Sequence, residues 1–416
     1  MCSLFIILRC CTLLLWIGCL AFVRAEEEVD FPPLLDSDDI AYFFEKNDID
    51  GLHWALSSVF ARSERSSKAE DIKQPLPQQL TARGGGLSYT TAYKLGQDLE
   101  QAEYLSDTLG DKEKAAFFGD VVAPIYREVL ARIPPLEQLE KTGGLYPFQS
   151  ADQELGIGAI YNKALHQTNF EELKDESGKP IPLLNPNLDV DLIQSQWFGT
   201  DENHKYPGIV VIDEVLTPDA LARIRQLLLE NTVWYQTKMP LKFGGYVGAY
   251  IDDGLHDRIL LQLALELYNI LPKIMKGHFL KYLWAYKYDS GYSGINTHAD
   301  QAAVNVNLWI TPDDANIDPN SGGLVIFTAK PPEDWDFQKY NTDTDFVMEE
   351  LLKPTGYANW TVPHRQNRAV LFDSALFHHS DEFKFKKGYE NRRINLTLLY
   401  GDMQLAKATA ARKDEL

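Results

Sequence analysis

The chain has 416 residues, and 60 acidic against 40 basic side chains give it a formal net charge of -20. A domain commonly has about 150 residues, so this length predicts about two domains. A surface this negative repels phosphate backbones, which argues against nucleic acid as a partner but leaves a basic protein substrate open.

The N-terminus has the pattern of a secretory signal peptide, which we place at 1–25. Arg9 precedes the apolar run Thr12–Val23, and the small residues Val23 and Ala25 fit a cleavage site after Ala25. This run is shorter than the roughly 20 apolar residues that a spanning helix needs. The sequence therefore predicts no stable membrane anchor.

The C-terminus reads Lys413-Asp414-Glu415-Leu416, a retrieval signal of the endoplasmic reticulum. We therefore expect a tail at 404–416, the receptor for this signal as a partner, and the lumen of the endoplasmic reticulum as the location. All four cysteines lie inside the predicted signal peptide, at Cys2, Cys10, Cys11 and Cys19. A mature chain without cysteine excludes disulfides, thiolate catalysis and zinc sites built on cysteine.

Residues 26–200 are predicted to form a mainly helical domain. Ala92–Leu109 and Lys112–Ile133 carry apolar side chains at helical spacing. Between the N-terminal residues of this domain and these helices, Ser66–Gly86 is polar and contains prolines and three consecutive glycines, which predicts a linker or a long loop.

A second domain is predicted at 205–403, after a stretch rich in Pro, Asn and Asp. Thr217 can cap a helix that begins at Pro218 and runs to Glu230. Runs rich in Val, Ile, Leu, Tyr and Trp predict strands at Gly208–Ile212, Lys281–Tyr288, Ala303–Ile310, Gly323–Phe327, Ala369–Phe372 and Ile394–Tyr400. Many short strands after a helical region predict an α+β protein whose second domain is a double-stranded β-helix, or jelly roll.

A candidate metal site begins at Thr297-His298-Ala299-Asp300. A histidine and a carboxylate two positions apart on an extended strand point to the same face, so both can bind one ion. A second histidine would complete a two-histidine, one-carboxylate triad, which leaves open positions on iron(II). The residues alone leave His378 and His379 as alternatives for that ligand.

The last predicted strand is polar on one face only. Period-two alternation places Arg393, Asn395 and Thr397 on that face and apolar side chains on the other. A polar inner face is costly unless something polar occupies it. A bound dicarboxylate would suit this face, because the guanidinium of Arg393 can hold a carboxylate with two hydrogen bonds. The alternative is a strand whose arginine pairs with a carboxylate of the protein.

The order His-x-Asp, His and Arg on strands of a jelly roll resembles the 2-oxoglutarate- and iron(II)-dependent dioxygenase superfamily, with a prolyl-hydroxylase-like catalytic domain. The resemblance covers about Tyr206–Met403 and includes the motifs Tyr288-Asp-Ser-Gly, Ser321-Gly-Gly-Leu, Phe372-Asp-Ser-Ala-Leu-Phe-His and Arg393-Ile-Asn-Leu-Thr. More residues separate the second histidine from Arg393 than in collagen prolyl hydroxylases, which have a lysine at the arginine position.

This resemblance implies a role for each site residue. It implies that iron(II) is bound by His298, Asp300 and His378, with His379 beside the site. It further implies that the cosubstrate 2-oxoglutarate contacts Arg393 through its distal carboxylate, Asn395 at its proximal end, and also Thr397, Tyr286 and Tyr288.

The activity implied is hydroxylation of a side chain of a protein or peptide in the lumen of the endoplasmic reticulum. Iron(II), 2-oxoglutarate and O2 would take part, with ascorbate as a further candidate cofactor. Two alternatives stay open: a non-catalytic client-binding protein with a scaffold jelly roll, and an oxygenase that acts on a small molecule.

Four further side chains carry expectations. Asn359 and Asn395 both begin glycosylation sequons. We expect Asn359 to accept a glycan in a loop and Asn395 to stay unmodified beside the cosubstrate. Trp284 and Trp309 are expected in the hydrophobic core.

Overall fold

The computed structural model describes residues 37–66, 88–170, 175, 177, 180–238, 240–243, 245–288, 294–332, 335 and 343–402. The predicted signal peptide with its four cysteines and the predicted tail at 404–416 lie outside the described residues, as does nearly all of the predicted linker. Within the part of the chain that the structure describes, no helix is long and apolar enough to cross a membrane.

The first half of the described chain is mainly helical. Its helices are α1 (Ser37–Lys46), α2 (Ile49–Ser66), α3 (Ala92–Thr108), α4 (Lys112–Phe117), α5 (Ala123–Leu130), α6 (Ser150–Glu154) and α7 (Val190–Phe198). A π-helical turn at Phe118–Val122 joins α4 to α5, so the helix predicted at Lys112–Ile133 is divided and ends three residues early. A two-stranded antiparallel sheet pairs β1 (Tyr89–Thr90) with β2 (Tyr146–Pro147).

The first helix of the second half is the one that the sequence predicts after Thr217. The helices of this half are α8 (Pro218–Glu230), α9 (Pro240–Phe243), α10 (Arg258–Ile270), α11 (Pro272–Met275) and α12 (Thr344–Val347). Helix α8 has the predicted bounds, because the Thr217 hydroxyl accepts a hydrogen bond from the amide N of Ala220 at 3.3 Å and Pro218 needs no such partner.

Two antiparallel sheets follow. Their strands are β3 (Ile209–Ile212), β4 (Gln236–Thr237), β5 (Tyr246–Tyr250), β6 (Leu280–Tyr288), β7 (Val304–Trp309), β8 (Leu324–Phe327), β9 (Asn359–Val362), β10 (Ala369–Asp373), β11 (His378–Ser380) and β12 (Arg393–Tyr400). The larger sheet has seven strands in the order β3-β10-β7-β12-β6-β5-β4, and the smaller has the order β11-β8-β9. A large antiparallel sheet packed against a small one is consistent with the predicted jelly roll.

The two faces of the large sheet have different neighbours. One face packs on helices in a hydrophobic core that includes Leu56 of α2, Leu227 of α8, Leu283 of β6 and Leu396 of β12. The other face turns toward the small sheet. Side chains from both sides of the predicted boundary near residue 200 share this core, and the division into two domains stays a prediction.

Strands β4 and β5 are absent from the predicted elements. Strand β4 has only two residues, and β5 contains Gly248, a residue type that is depleted in strands. The glycine has a packing reason, since a Cβ atom there would lie 3.0 Å from Cε1 of Tyr286 and 2.9 Å from Cε2 of Tyr250. These two strands widen the sheet beside the candidate site.

Candidate metal and cosubstrate site

His298 and His378 lie side by side because their backbones are paired. The amide N of His298 donates to the carbonyl O of His378 at 3.1 Å, and the reverse hydrogen bond is 2.9 Å long. This antiparallel bridge adds the segment around His298 to the edge of the small sheet, beside β11. Directly opposed side chains lie on one face, and the two imidazole centroids are 4.3 Å apart.

Asp300 completes a group of three possible ligands. Its Oδ1 lies 3.6 Å from Nε2 of His298, and its Oδ2 lies 3.5 Å from Nε2 of His378. The three donor atoms lie within 4.8 Å of one another. Donors bound at about 2.1 Å on one face of an octahedron are roughly 3 Å apart, so small side-chain shifts would bring these three onto one ion.

Backbone carbonyl groups orient both imidazole rings. Nδ1 of His298 is 2.8 Å from the carbonyl O of Asn296, and Nδ1 of His378 is 3.1 Å from that of Leu376. A neutral imidazole that donates from Nδ1 presents the lone pair of Nε2 to its other neighbour. Both rings therefore direct a metal-binding nitrogen toward Asp300.

Burial and mutual charge determine the protonation of Asp300 and His378. Burial, together with the neighbouring His298, lowers the pKa of His378 to about 4. Burial alone would raise the pKa of Asp300, but hydrogen bonding and charge from the two histidines hold it below its usual value. At neutral pH the site therefore offers a carboxylate and a neutral His378, the forms that bind metal ions.

A chain of asparagines connects Asp300 to the large sheet. Nδ2 of Asn305 donates to Oδ2 of Asp300 at 2.5 Å, and Nδ2 of Asn307 donates to Oδ1 of Asn305 at 2.7 Å. Oδ1 of Asn307 in turn accepts from Asn395 at 3.2 Å and from Thr397 at 2.9 Å. This network holds the carboxylate in one orientation.

The side chain of His379 points away from the three candidate ligands. It lies beside the ring of Phe327, at 5.7 Å between centroids, and its Nδ1 is 2.8 Å from the carbonyl O of Ser380. The group of close donor atoms contains His378 instead. Between the two alternatives that the residues left open, the geometry thus favours His378.

Arg393 lies in the same cavity as the three ligands, at its inner end. Its Nε donates to the carbonyl O of Gly322 at 2.7 Å and its Nη2 to that of Gly323 at 3.1 Å. The backbone comes this close because Gly323 has no side chain: a Cβ atom there would lie 1.9 Å from the carbonyl O of Val362. Arg393 is 1% exposed, and its Nη1 has no hydrogen-bond partner among the described residues.

The buried Nη1 of Arg393 favours an anionic ligand in this cavity. A buried N–H group without a partner costs about 1–3 kcal/mol, and more when the group is charged. A carboxylate that enters the cavity would accept from it. The alternative interpretation requires a protein carboxylate that pairs with Arg393. In this structure the guanidinium donates instead to the backbone carbonyl groups of Gly322 and Gly323.

All of the predicted site residues line this one cavity, which has a volume of about 600 Å³. They are His298, Asp300, His378, Arg393, Asn395, Thr397, Tyr286 and Tyr288. The alternation predicted for β12 is present, since Ile394, Leu396 and Leu398 lie in the helix-side core. Burial raises the pKa of Tyr288 to about 12, so its hydroxyl stays protonated and can donate to an anion.

Several cavity residues are absent from the predicted site. Lys238, Tyr246 and Tyr250 lie on or beside the unpredicted strands β4 and β5. Asn305 and Asn307 had a usable signal, because asparagines two apart in a predicted strand occupy its polar face. The expectation for Trp309 is confirmed, as this residue is fully buried. The expectation for Trp284 is wrong: its register on β6 directs it into the cavity.

No family model matches the chain. No curated protein matches it significantly.

Solved structures give low similarities. The chain is similar to a prolyl hydroxylase from Trichoplax adhaerens in complex with a hypoxia inducible factor peptide fragment, at 15% identity over 53% of this chain and 91% of that chain, with a TM-score of 0.35. HygX from Streptomyces hygroscopicus with nickel and 2-oxoglutarate bound has 14% identity over 47% and 83%, with a TM-score of 0.31.

A Pseudomonas putida prolyl-4-hydroxylase has 12% identity over 51% of this chain and 98% of that chain, with a TM-score of 0.33. At this level of identity, the roles of residues in this chain have to follow from the side chains of its own cavity.

Proposed function

We propose that this protein is an iron(II)- and 2-oxoglutarate-dependent oxygenase. The observation that carries the proposal is one cavity with two kinds of site: three converging candidate metal ligands, and a buried guanidinium N–H of Arg393 that has no partner among the described residues. Two histidines and a carboxylate also occur in zinc hydrolases. The anion site beside the ligands favours a metal ion that binds together with a dicarboxylate.

The chain's own side chains would divide the work as follows. Nε2 of His298, Nε2 of His378 and the Asp300 carboxylate hold the ion on one face. Nη1 of Arg393 binds the distal carboxylate of 2-oxoglutarate, and the hydroxyl of Tyr288 can donate to the same group. Bound iron(II) and 2-oxoglutarate supply the chemistry that inserts one atom of O2 into a C–H bond while the cosubstrate becomes succinate and carbon dioxide.

The substrate that we propose is a side chain of a protein or peptide in the lumen of the endoplasmic reticulum. The signal-like sequence at 1–25 and the terminal Lys413-Asp414-Glu415-Leu416 support this location. Tyr282 supports a large substrate, because it extends the aromatic side chains of β6 beyond the cavity and is 42% exposed. The substrate class rests on these features and on the resemblance together.

The experiment is release of succinate from 2-oxoglutarate by purified full-length protein with iron(II) and O2. We expect release that requires iron(II) and that His298→Ala abolishes. His379→Ala is the matched control, since this histidine lies outside the ligand group, and it should release succinate like the wild type. No release by the wild type, or equal release by His298→Ala, contradicts the proposal.

The two alternatives have separate signatures. A non-catalytic client-binding protein would retain client proteins but release no succinate. An oxygenase for a small molecule would release succinate while leaving luminal proteins unchanged. Mass spectrometry of luminal proteins from cells with wild-type protein or with Asp300→Ala distinguishes them, because our proposal expects additions of single oxygen atoms that only the wild type produces.

A further inference from the structure

The cavity has a second flank, away from Arg393, formed by β4, β5 and β6. Lys238 directly follows β4, and the inward side chains of the neighbouring strands are Tyr246, Tyr250 and Tyr286. Strand β4 is three strands from β12, which carries Arg393. Adjacent strands are about 4.8 Å apart, so Lys238 lies roughly 14 Å across the sheet from the proposed cosubstrate anchor.

Among the described residues, the neighbours of the Lys238 ammonium group are aromatic and none is acidic. Its Nζ lies 5.8 Å from the ring centroid of Tyr246 and 5.9 Å from that of Tyr286. No carboxylate of the described residues forms an ion pair with its Nζ, and none of their groups accepts a hydrogen bond from it. Lys238 is half-buried, and this burial lowers its pKa to about 8.

The other charges of the proposed site are already balanced. Iron(II) and Arg393 carry three positive charges, and Asp300 and the two carboxylates of 2-oxoglutarate carry three negative ones. The charge of Lys238 therefore stays uncompensated when the site is loaded. A partly dehydrated cation whose described neighbours are ring faces gains most from an anion that arrives with the substrate.

We infer that Lys238 is a specificity-determining residue that binds a carboxylate of an acidic peptide substrate. The inference rests on the proposed function and deepens it. The carboxylate can belong to an Asp or Glu side chain or to the end of a peptide. The aromatic floor of Tyr246, Tyr250, Trp284 and Tyr286 would pack against the apolar part of the same peptide.

The acidic surface of the protein is compatible with this subsite. The net charge of -20 belongs to the whole chain. At physiological ionic strength, charges farther than about 8 Å away are largely screened, whereas a group in contact with Lys238 is not. Long-range repulsion slows encounter with acidic peptides, but the contact at Lys238 decides which of them stay bound.

The test is retention of full-length protein, loaded with zinc and 2-oxoglutarate, on an array of acetylated and amidated decapeptides. The peptides come in pairs that differ only as Asp against Asn or Glu against Gln. A third set has neutral side chains and either a free or an amidated C-terminus. The proteins are wild type, Lys238→Met, Lys238→Arg and the control Lys281→Met. Lys281 also lies over a tyrosine, with Nζ 5.5 Å from the ring of Tyr282, but pairs with Asp402 at 3.6 Å.

We expect the wild type and Lys281→Met to retain acidic peptides about tenfold better than their neutral partners, the effect of one charge-assisted hydrogen bond. Lys238→Met should lose this preference, and Lys238→Arg should keep most of it. A preference confined to free C-termini supports the inference and identifies the chain end as the source of the carboxylate. No preference in the wild type, or an undiminished preference in Lys238→Met, overturns it.

Two further results separate this inference from the proposed function. If the wild type releases no succinate, the proposed function fails whatever the array shows. If the wild type releases succinate but Lys238→Met weakens binding of 2-oxoglutarate instead of the preference for acidic peptides, Lys238 belongs to the cosubstrate site. That result overturns the inference and leaves the proposed function intact.

Discussion

His298 and His378 are hydrogen-bonded to each other, backbone to backbone, in both directions. The pairing of β11 with β8 keeps this register, with His378 opposite Ile326 and His379 opposite Val325. Successive side chains of a strand point to opposite faces, so a slip by one residue would replace His378 by His379 at the ligand group. The pairing of His298 with His378, 80 positions apart in the chain, thus selects the second histidine.

Arg393→Lys should raise the KM for 2-oxoglutarate. Lysine keeps the positive charge but lacks the fork that holds two backbone carbonyl groups and still has Nη1 to donate. The loss of one charge-assisted hydrogen bond, about 1.5–3 kcal/mol, corresponds to roughly 10- to 100-fold. The measurement is succinate release against 2-oxoglutarate concentration. Arg368→Lys is the control, since Arg368 pairs with Asp213 instead. An unchanged KM in Arg393→Lys contradicts the anchoring role.

Asn305→Leu should weaken iron(II) binding although Asn305 is not itself a ligand. It removes the hydrogen bond to Oδ2 of Asp300 and so frees the carboxylate to rotate. Loss of a group that orients a metal ligand commonly costs about 10- to 100-fold in affinity. Anaerobic iron titration measures the effect, and Asn320→Leu at an exposed position is the control. If stability falls while iron affinity is unchanged, Asn305 has a structural role only.

The free energy of unfolding should fall with acidity, in part through His256. This buried ring lies beside His53 and Phe60, and burial lowers its pKa to about 3. A folded-state pKa below the unfolded value of about 6.5 means that the full stability is present above pH 6.5 and is lost as pH falls toward 3.

The contribution of His256 is up to about 5 kcal/mol, and His364, whose pKa burial also lowers to about 3, adds to the same slope. Denaturant unfolding of metal-free protein between pH 7 and pH 4 measures it. His256→Asn, which can still donate to the carbonyl O of Ile251, should show a shallower decline than the wild type. Parallel declines would show that His256 is protonated equally in both states.

Expression in a secretory host should attach a glycan to Asn359 and not to Asn395. Asn359 begins β9 and is exposed, whereas Asn395 is 3% exposed within the cavity. Removal of N-glycans should shift the electrophoretic mobility of the wild type, and Asn359→Gln should abolish that shift. A glycan found on Asn395 by peptide mapping would contradict the placement of this residue beside the cosubstrate.

Signals that act locally in the sequence predicted much of the fold. The cap at Thr217 and Pro218 determined the start of α8, and period-two alternation identified the polar face of β12. The pair His298 and Asp300 needed only the geometry of an extended chain. These predictions depend on neighbours within a few positions.

The rest depends on contacts between distant segments. Strand β4 has only two residues and β5 contains Gly248, so neither shows a strand pattern in the sequence. They form because β4 pairs with β5 and β5 pairs with β6. Tryptophan is a residue type that is common in hydrophobic cores. Only the pairing of Trp284 with Thr397 of β12 directs its side chain into the cavity. No pattern in the sequence indicates that Lys238 lines the cavity, because a lysine after a two-residue strand looks like a surface residue.

The central claim is that iron(II) and 2-oxoglutarate bind together in one cavity. Anaerobic calorimetric titration of 2-oxoglutarate into full-length protein, with and without iron(II), tests it most directly. The account predicts one site per chain, much tighter binding with iron(II) than without, and loss of that gain in both His298→Ala and His378→Ala but not in His379→Ala. Binding that is absent, or that is indifferent to iron(II) and to His298, would contradict it.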